Sequence, residues 1–201
     1  MMRRTAIAAS ICFMEINTLL FIGKPGSGKG TQTTLLSEKT GWPARSSGDM
    51  FRAFAKEETP AGRKYKDEME QGFLAPDWFA AYLFQKSIFE LAPEDGIIFD
   101  GFGRKVPEAK IVIDVLTWLE RPFRAVHIKV SDEEIHARLS KRAAVSGRAD
   151  DSAIDKRLDE YRLYTDPAIE VFRAAGVLIE VNGEGSVEDI QADIRSKLAV
   201  A

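Results

Sequence analysis

The stretch Gly23 to Gln32, GKPGSGKGTQ, limits what this chain can fold into more than any other ten residues in it. An apolar, β-branched run from Ile16 to Ile22 leads in, and a segment carrying Leu35 and Leu36 leads out. The order is strand, glycine loop, helix. Gly23, Gly26, Gly28 and Gly30 let successive backbone N–H groups turn inward, the helix N-terminus adds positive potential, and Lys29 supplies a mobile cation. Such a loop cradles phosphate oxygens, with Gly26, Ser27, Gly28, Lys29, Gly30 and Thr31 as candidate contacts. The general pattern puts Ser or Thr directly after the lysine, where its hydroxyl ligates Mg²⁺. Here Gly30 comes before Thr31, and that direct ligation is lost.

Further short runs at Ile97 to Phe99, Ala125 to Val130 and Val177 to Val181 alternate with longer segments of helical spacing, which predicts a parallel sheet. The clearest helix follows Asp151, where Ile154, Leu158, Tyr161 and Tyr164 form one apolar face. Ala53 to Asp77 is polar and mostly helical, punctuated by Pro60, Gly62, Gly72 and Pro76, and predicts a small subdomain between the first strands. At 201 residues, 45% hydrophobic and 29% charged, the chain has the make-up of one domain able to bury a core. A net charge of -3 lacks the basic excess of a nucleic-acid binder, so any phosphate-binding charge must be local.

Cys12 is the single cysteine, which excludes an internal disulfide framework and a cysteine-built zinc cluster, and a cytoplasmic location is expected. The opening MMRRTAIAASICF is basic and then apolar, but its run from Ala6 to Phe13 is short and lacks a persuasive cleavage site. Residues 1–13 are therefore expected to be a disordered extension or a misassigned start, with Met14 as the beginning. No later stretch approaches membrane-spanning length.

The GKGTQ form of the loop resembles that of the adenylate kinase family, and four blocks agree with it in order: SSGDMFR at Ser46 to Arg52, DGFGR at Asp100 to Arg104, RLSKR at Arg138 to Arg142, and SGRADD from Ser146 with Arg157 beyond it. With EYRLYTDPAIEVF near the end, the resemblance covers roughly Asn17 to Leu198. It implies a three-layer α/β fold of the P-loop NTPase class, a five-stranded parallel sheet with helices on both faces. One nucleoside monophosphate kinase domain would occupy 14–201, with a monophosphate-binding insertion at 46–76 and a minimal lid at 142–148. The implied reaction is reversible transfer of the terminal phosphoryl group of ATP to AMP, giving two ADP, with Mg²⁺ accompanying ATP. ATP, AMP and ADP are the expected partners, no nucleic acid or membrane is expected, and the chain is expected to be a monomer.

The same resemblance implies roles for particular residues. Lys29, Arg104, Arg142, Arg148 and Arg157 would be the catalytic cations, since phosphoryl transfer needs alignment and charge neutralisation and a guanidinium grips two oxygens at once. To the loop residues the ATP site would add Arg142, Arg138 stacked on the donor adenine, and Gly185 meeting that base through its backbone. The AMP site would take Ser47, Arg52 on the α-phosphate, Phe73, Leu74, Ala75, Gly101, Arg104, Glu108, Arg148 and Arg157. Asp100, at a strand end, would orient water on Mg²⁺, so no direct bond from protein to metal is expected. Asp150 and Asp151 either cap the following helix or help close the lid. Only five residues separate Arg142 from Arg148, which resembles the short-lid branch of the family; closure would exclude water, and reopening is expected to limit turnover.

Three departures stand out. Gly103 replaces the usual Pro before the arginine of the DGF block, leaving the loop that aims Arg104 less rigid, and Arg157 follows the double aspartate about two residues early. Glu108 stands where the family has a Gln that reads the acceptor base. Gln both donates and accepts, whereas an ionised Glu only accepts and complements the donors of guanine. AMP is the expected acceptor, with Ser47 keeping a hydroxyl at the adenine-contacting position; a GMP-preferring kinase and a catalytically weak nucleotide sensor are the alternatives. His127 and His136 have no ligand-spaced companions, and Trp42, Trp78 and Trp118 are expected in the core.

Overall fold

Five strands lie side by side and all parallel: β1 (Thr18–Gly23), β2 (Ala44–Ser46), β3 (Ile97–Asp100), β4 (Phe123–Lys129) and β5 (Leu178–Asn182), in the order β2-β3-β1-β4-β5. The computed structural model describes residues 16–71, 73–146 and 154–199, and within the second span the side chains as far as Lys141. The expected extension at 1–13 lies outside the described residues.

Burial on both faces explains why the strands read as continuous apolar runs rather than as alternating ones. Along β1, Leu20 and Ile22 point to one side and Leu19 and Phe21 to the other, all four buried. The first side packs on α4 (Asp77–Phe89), α5 (Val106–Trp118) and α8 (Asp166–Ala174) through Phe84, Ile88, Val112, Leu116, Ile169 and Phe172. The second packs on α1 (Lys29–Thr40), α6 (Asp132–Ser146), α7 (Ile154–Glu160) and α9 (Val187–Leu198) through Leu36, Ile135, Leu139, Leu158, Ile190 and Ile194. The result is a sheet between two helical layers. A third, separate cluster joins α2 (Ser47–Ala55) and α3 (Pro60–Glu70) to the start of α4: Ala55, Tyr65, Ala75 and Phe79, with Phe51 and Phe54 against them. Its rings meet at centroid distances of 4.6 to 6.2 Å, a geometry that favours tilted aromatic pairs.

Two expectations about side chains fail. Tyr164 does not continue the face of Leu158 and Tyr161, because residues Tyr161–Thr165 form a π-helical turn between α7 and α8. The extra residue per turn passes the inward position to Thr165, which is buried, and leaves Tyr164 outside. Trp78 and Trp118 are 72% and 76% exposed, at the start of α4 and the end of α5, and belong to no core. Trp42 does pack against the second cluster.

Candidate active site

The parallel sheet delivers the C-terminal ends of β1, β2 and β3 to one edge, where Phe21 and Ser46 both register against Asp100. There the chain order reverses across the sheet, the place where open α/β sheets bind ligands. A cavity of about 1400 Å³ opens at this edge.

Its floor is the glycine loop between β1 and α1. Gly28 caps α1 with φ 93°, a conformation open to glycine and strained for other residues, so the first N–H groups of the helix face the cavity instead of a side chain. Lys29 Nζ donates to the carbonyls of Gly23 and Lys24, both at 2.8 Å, and lies 3.3 Å from Ser27 Oγ. The cation is held over its own loop by neutral acceptors, which anionic oxygens outcompete. Gly26, Ser27, Gly28, Gly30 and Thr31 all line the cavity. Beside them, Asp100 Oδ1 is buried with no hydrogen-bond partner among the described residues.

One wall comes from α2 and the loop after β3. Ser47 Oγ donates to the Gly101 carbonyl at 2.9 Å, so what remains to the cavity is acceptor lone pairs. Arg52 pairs with Asp49 at 2.5 Å, a partner on the surface of the same helix. Phe102, fully buried against Phe99 and Phe84, anchors the loop, and Arg104 Nε donates to Gly101 O at 2.7 Å. Gly103 is set apart by its backbone. Its φ is +71°, which proline cannot adopt, and a Cβ there would stand 2.9 Å from Phe172 Cζ. The glycine suits this path, and the neighbouring Phe102 anchors the loop in the core.

Glu108 sits in the first turn of α5, only 5% exposed, with Oε2 accepting from the Arg104 N–H at 2.9 Å. Burial pushes its carboxyl up to about 7, against the pull of that N–H and of the Arg104 and Lys105 charges. Phe73, Leu74 and Ala75 complete this end; Ala75 O accepts from Lys105 Nζ at 3.0 Å, and Lys105 also pairs with Asp77 at 2.9 Å.

The opposite wall belongs to α6, α7 and the turn before α9. Arg138 is held flat by Glu134 at 2.7 Å and Gly183 O at 2.9 Å, with Gly185 lining the same space. Arg157, on α7, also lines the cavity. From α7, Lys156 Nζ stands 3.3 Å over the ring of Phe73, reaching the wall across the cavity. The fold thus brings Lys29, Arg52, Arg104, Arg138 and Arg157 to one cavity. The side chain of Arg142, Arg148 and the Asp150 and Asp151 pair lie outside the described residues; of the expected lid at 142–148, the backbone of 142–146 continues helix α6 and 147–148 lie outside them. Sequence reasoning missed Tyr161, Thr165, Val187 and Ile190, which line the cavity, and Lys105, which ties its loops together. The π-helical turn that aims Tyr161 and Thr165 inward has no spacing signature.

Over residues 21–177 the sequence matches the family model described as adenylate kinase. The chain belongs to the adenylate kinase family. It is 39% identical to an adenylate kinase of Leptospira biflexa, across 86% of this chain and 94% of the relative. An adenylate kinase of Leifsonia xyli is also 39% identical, across 90% and 92%, and one of Thermus thermophilus is 34% identical, across 90% and 97%. In this member the family's glycine loop and its cationic walls meet in the single cavity just described.

Proposed function

We propose that this cavity is the active site of an adenylate kinase that transfers the terminal phosphoryl group of ATP to AMP, reversibly, giving two ADP. The observation that carries the reading is one cavity lined by the glycine loop with Lys29 and by Arg52, Arg104, Arg138 and Arg157 from separate stretches of chain. An oxygen of the AMP phosphate attacks the γ-phosphorus, the bond from that phosphorus to the β–γ bridging oxygen breaks, and ADP leaves from each side. No covalent enzyme intermediate is needed, so the protein's work is alignment and charge stabilisation.

Lys29 leaves its carbonyl partners for the β- and γ-phosphates, and Arg138 with Gly185 receives the donor adenine. Arg52 turns from Asp49 to the acceptor phosphate, while Arg104 and Arg157 flank the transferring group; by the family resemblance Arg142 and Arg148 would add their charge to it. The orphaned Asp100 Oδ1 suits a hydrated Mg²⁺, which Asp100 would hold through water, the ion supplying charge neutralisation at the triphosphate. Residues 46–76 act as the acceptor-binding subdomain and 142–148 as a short lid whose closure keeps water from the phosphoryl group. The enzyme works as a cytoplasmic monomer on soluble nucleotides.

A coupled ADP-forming assay tests this reading. Arg104→Ala should lower kcat by roughly 10³-fold or more with the fold retained by circular dichroism. Turnover within a few-fold of the parent would remove Arg104 from the reaction.

A further inference from the structure

We propose that the acceptor preference of this enzyme is set by the protonation state of Glu108: as a neutral acid it binds adenine, and as a carboxylate it binds guanine. The inference rests on the preceding reading that the acceptor nucleotide lies along this wall.

A carboxyl is a poor neighbour for a phosphate and a good one for the edge of a base. Glu108 lies four residues beyond Arg104, inside the acceptor end of the cavity, where Leu74, Ala75 and Gly101 offer little other polarity. Its Oε2 is fixed by the Arg104 N–H, which orients the whole carboxyl group. In the neutral acid, Oε2 is the carbonyl oxygen with one lone pair still open, and Oε1–H is a donor. That pair of functions matches adenine, whose N1 accepts and whose amino group donates. After loss of the proton both oxygens accept, which matches the N1–H and amino group of guanine and leaves adenine N1 facing a lone pair.

The surroundings place the change of state in the working range. Burial on α5 favours the neutral form, and the carboxyl titrates near 7. The charges facing it are Arg104 on the loop, Lys105 next to it and Asp77 at the start of α4. Lys105 and Asp77 form an ion pair with each other, and Tyr164 from the π-helical turn lies 5.3 Å from Lys105 Nζ. Across the cavity, Arg52 is paired with Asp49 on α2. Lys105 and Arg52 thus each have an acid of their own, and among the described residues Arg104 is the cation that pulls against the burial of Glu108, which outweighs it.

The test is KM for AMP and for GMP at saturating ATP, from pH 6 to pH 8, in the parent and in Glu108→Gln. The usable fraction of a group titrating near 7 falls about tenfold over that range, so KM for AMP in the parent should rise about tenfold relative to the variant. KM for GMP in the parent should fall by a similar factor, and KM for ATP should be flat in both. Superimposable AMP profiles with intact turnover would overturn this proposal alone. Absence of AMP-dependent ADP formation at every pH would overturn the underlying reading and this proposal with it. A second measurement needs no variant. Calorimetry at pH 8 in two buffers of different ionisation enthalpy should find about 0.9 proton taken up per AMP bound and none with GMP. No uptake with AMP would rule the switch out.

Discussion

Gly103 shows how a single residue can carry a backbone decision. The chain turns there with φ +71° and passes so close to Phe172 that a side chain has no room, which places Arg104 toward the cavity. Replacing it by Pro, the residue usual at this position in the family, demands a φ near −65° and so a different path. Gly103→Pro should lower stability by about 3 kcal/mol in urea denaturation and raise KM for AMP more than KM for ATP. From sequence alone the glycine reads as added flexibility, because φ is a property of the path and is not encoded in spacing. Glu108 was legible as a departure but its burial was not, since burial depends on what α4 and the loop at 101–105 place around it.

At the scale of elements, one bracing group is announced by no motif. Arg121, just before β4, is 5% exposed and donates to Thr18 Oγ1 at 3.2 Å, to Ala92 O at 2.9 Å and to Asp95 O at 2.5 Å. It locks the start of β1 to the loop before β3 at the end of the sheet opposite the cavity. Arg121→Ala removes a buried guanidinium that bridges these two segments and should cost about 1 to 3 kcal/mol of unfolding free energy with KM for both nucleotides unmoved. The long elements were readable because buried strands and amphipathic helices repeat. β2 was not: it is three residues long, partly exposed, and paired only with β3, so it carries no apolar run. The π-helical turn escaped for a related reason, since one inserted residue shifts a phase without changing composition.

For the whole molecule, two buried titrating groups set opposed pH slopes. Glu108, raised from 4.5 to about 7 chiefly by burial, contributes stability that is complete below 4.5 and lost as pH rises through 7. His127 is lowered from 6.5 to about 4, again chiefly by burial, with its Nε2 at 3.0 Å from Tyr161 Oη. Its contribution is present above 6.5 and lost as pH falls through 4. Between 4.5 and 6.5 the two slopes oppose each other. The parent should change little there, whereas Glu108→Gln should lose roughly 2 to 3 kcal/mol on acidification, read from urea midpoints at half-unit steps. The site as an assembly was legible in the sequence because its cations fall in short ordered blocks, while the bracing by Lys105 was not, since it joins segments 30 residues apart. The aromatic cluster of α2 and α3 is smaller than the two cores that clamp the sheet and meets the first of them through Met50 and Leu83, so fewer buried contacts hold this wall than hold the sheet. In deuterium-exchange experiments on the free protein, amides of α2 and α3 should therefore label well before those of β1 and β4, and a bisubstrate dinucleotide should slow the first group most. Recognition of the acceptor would then include the folding free energy of the very segment that recognises it.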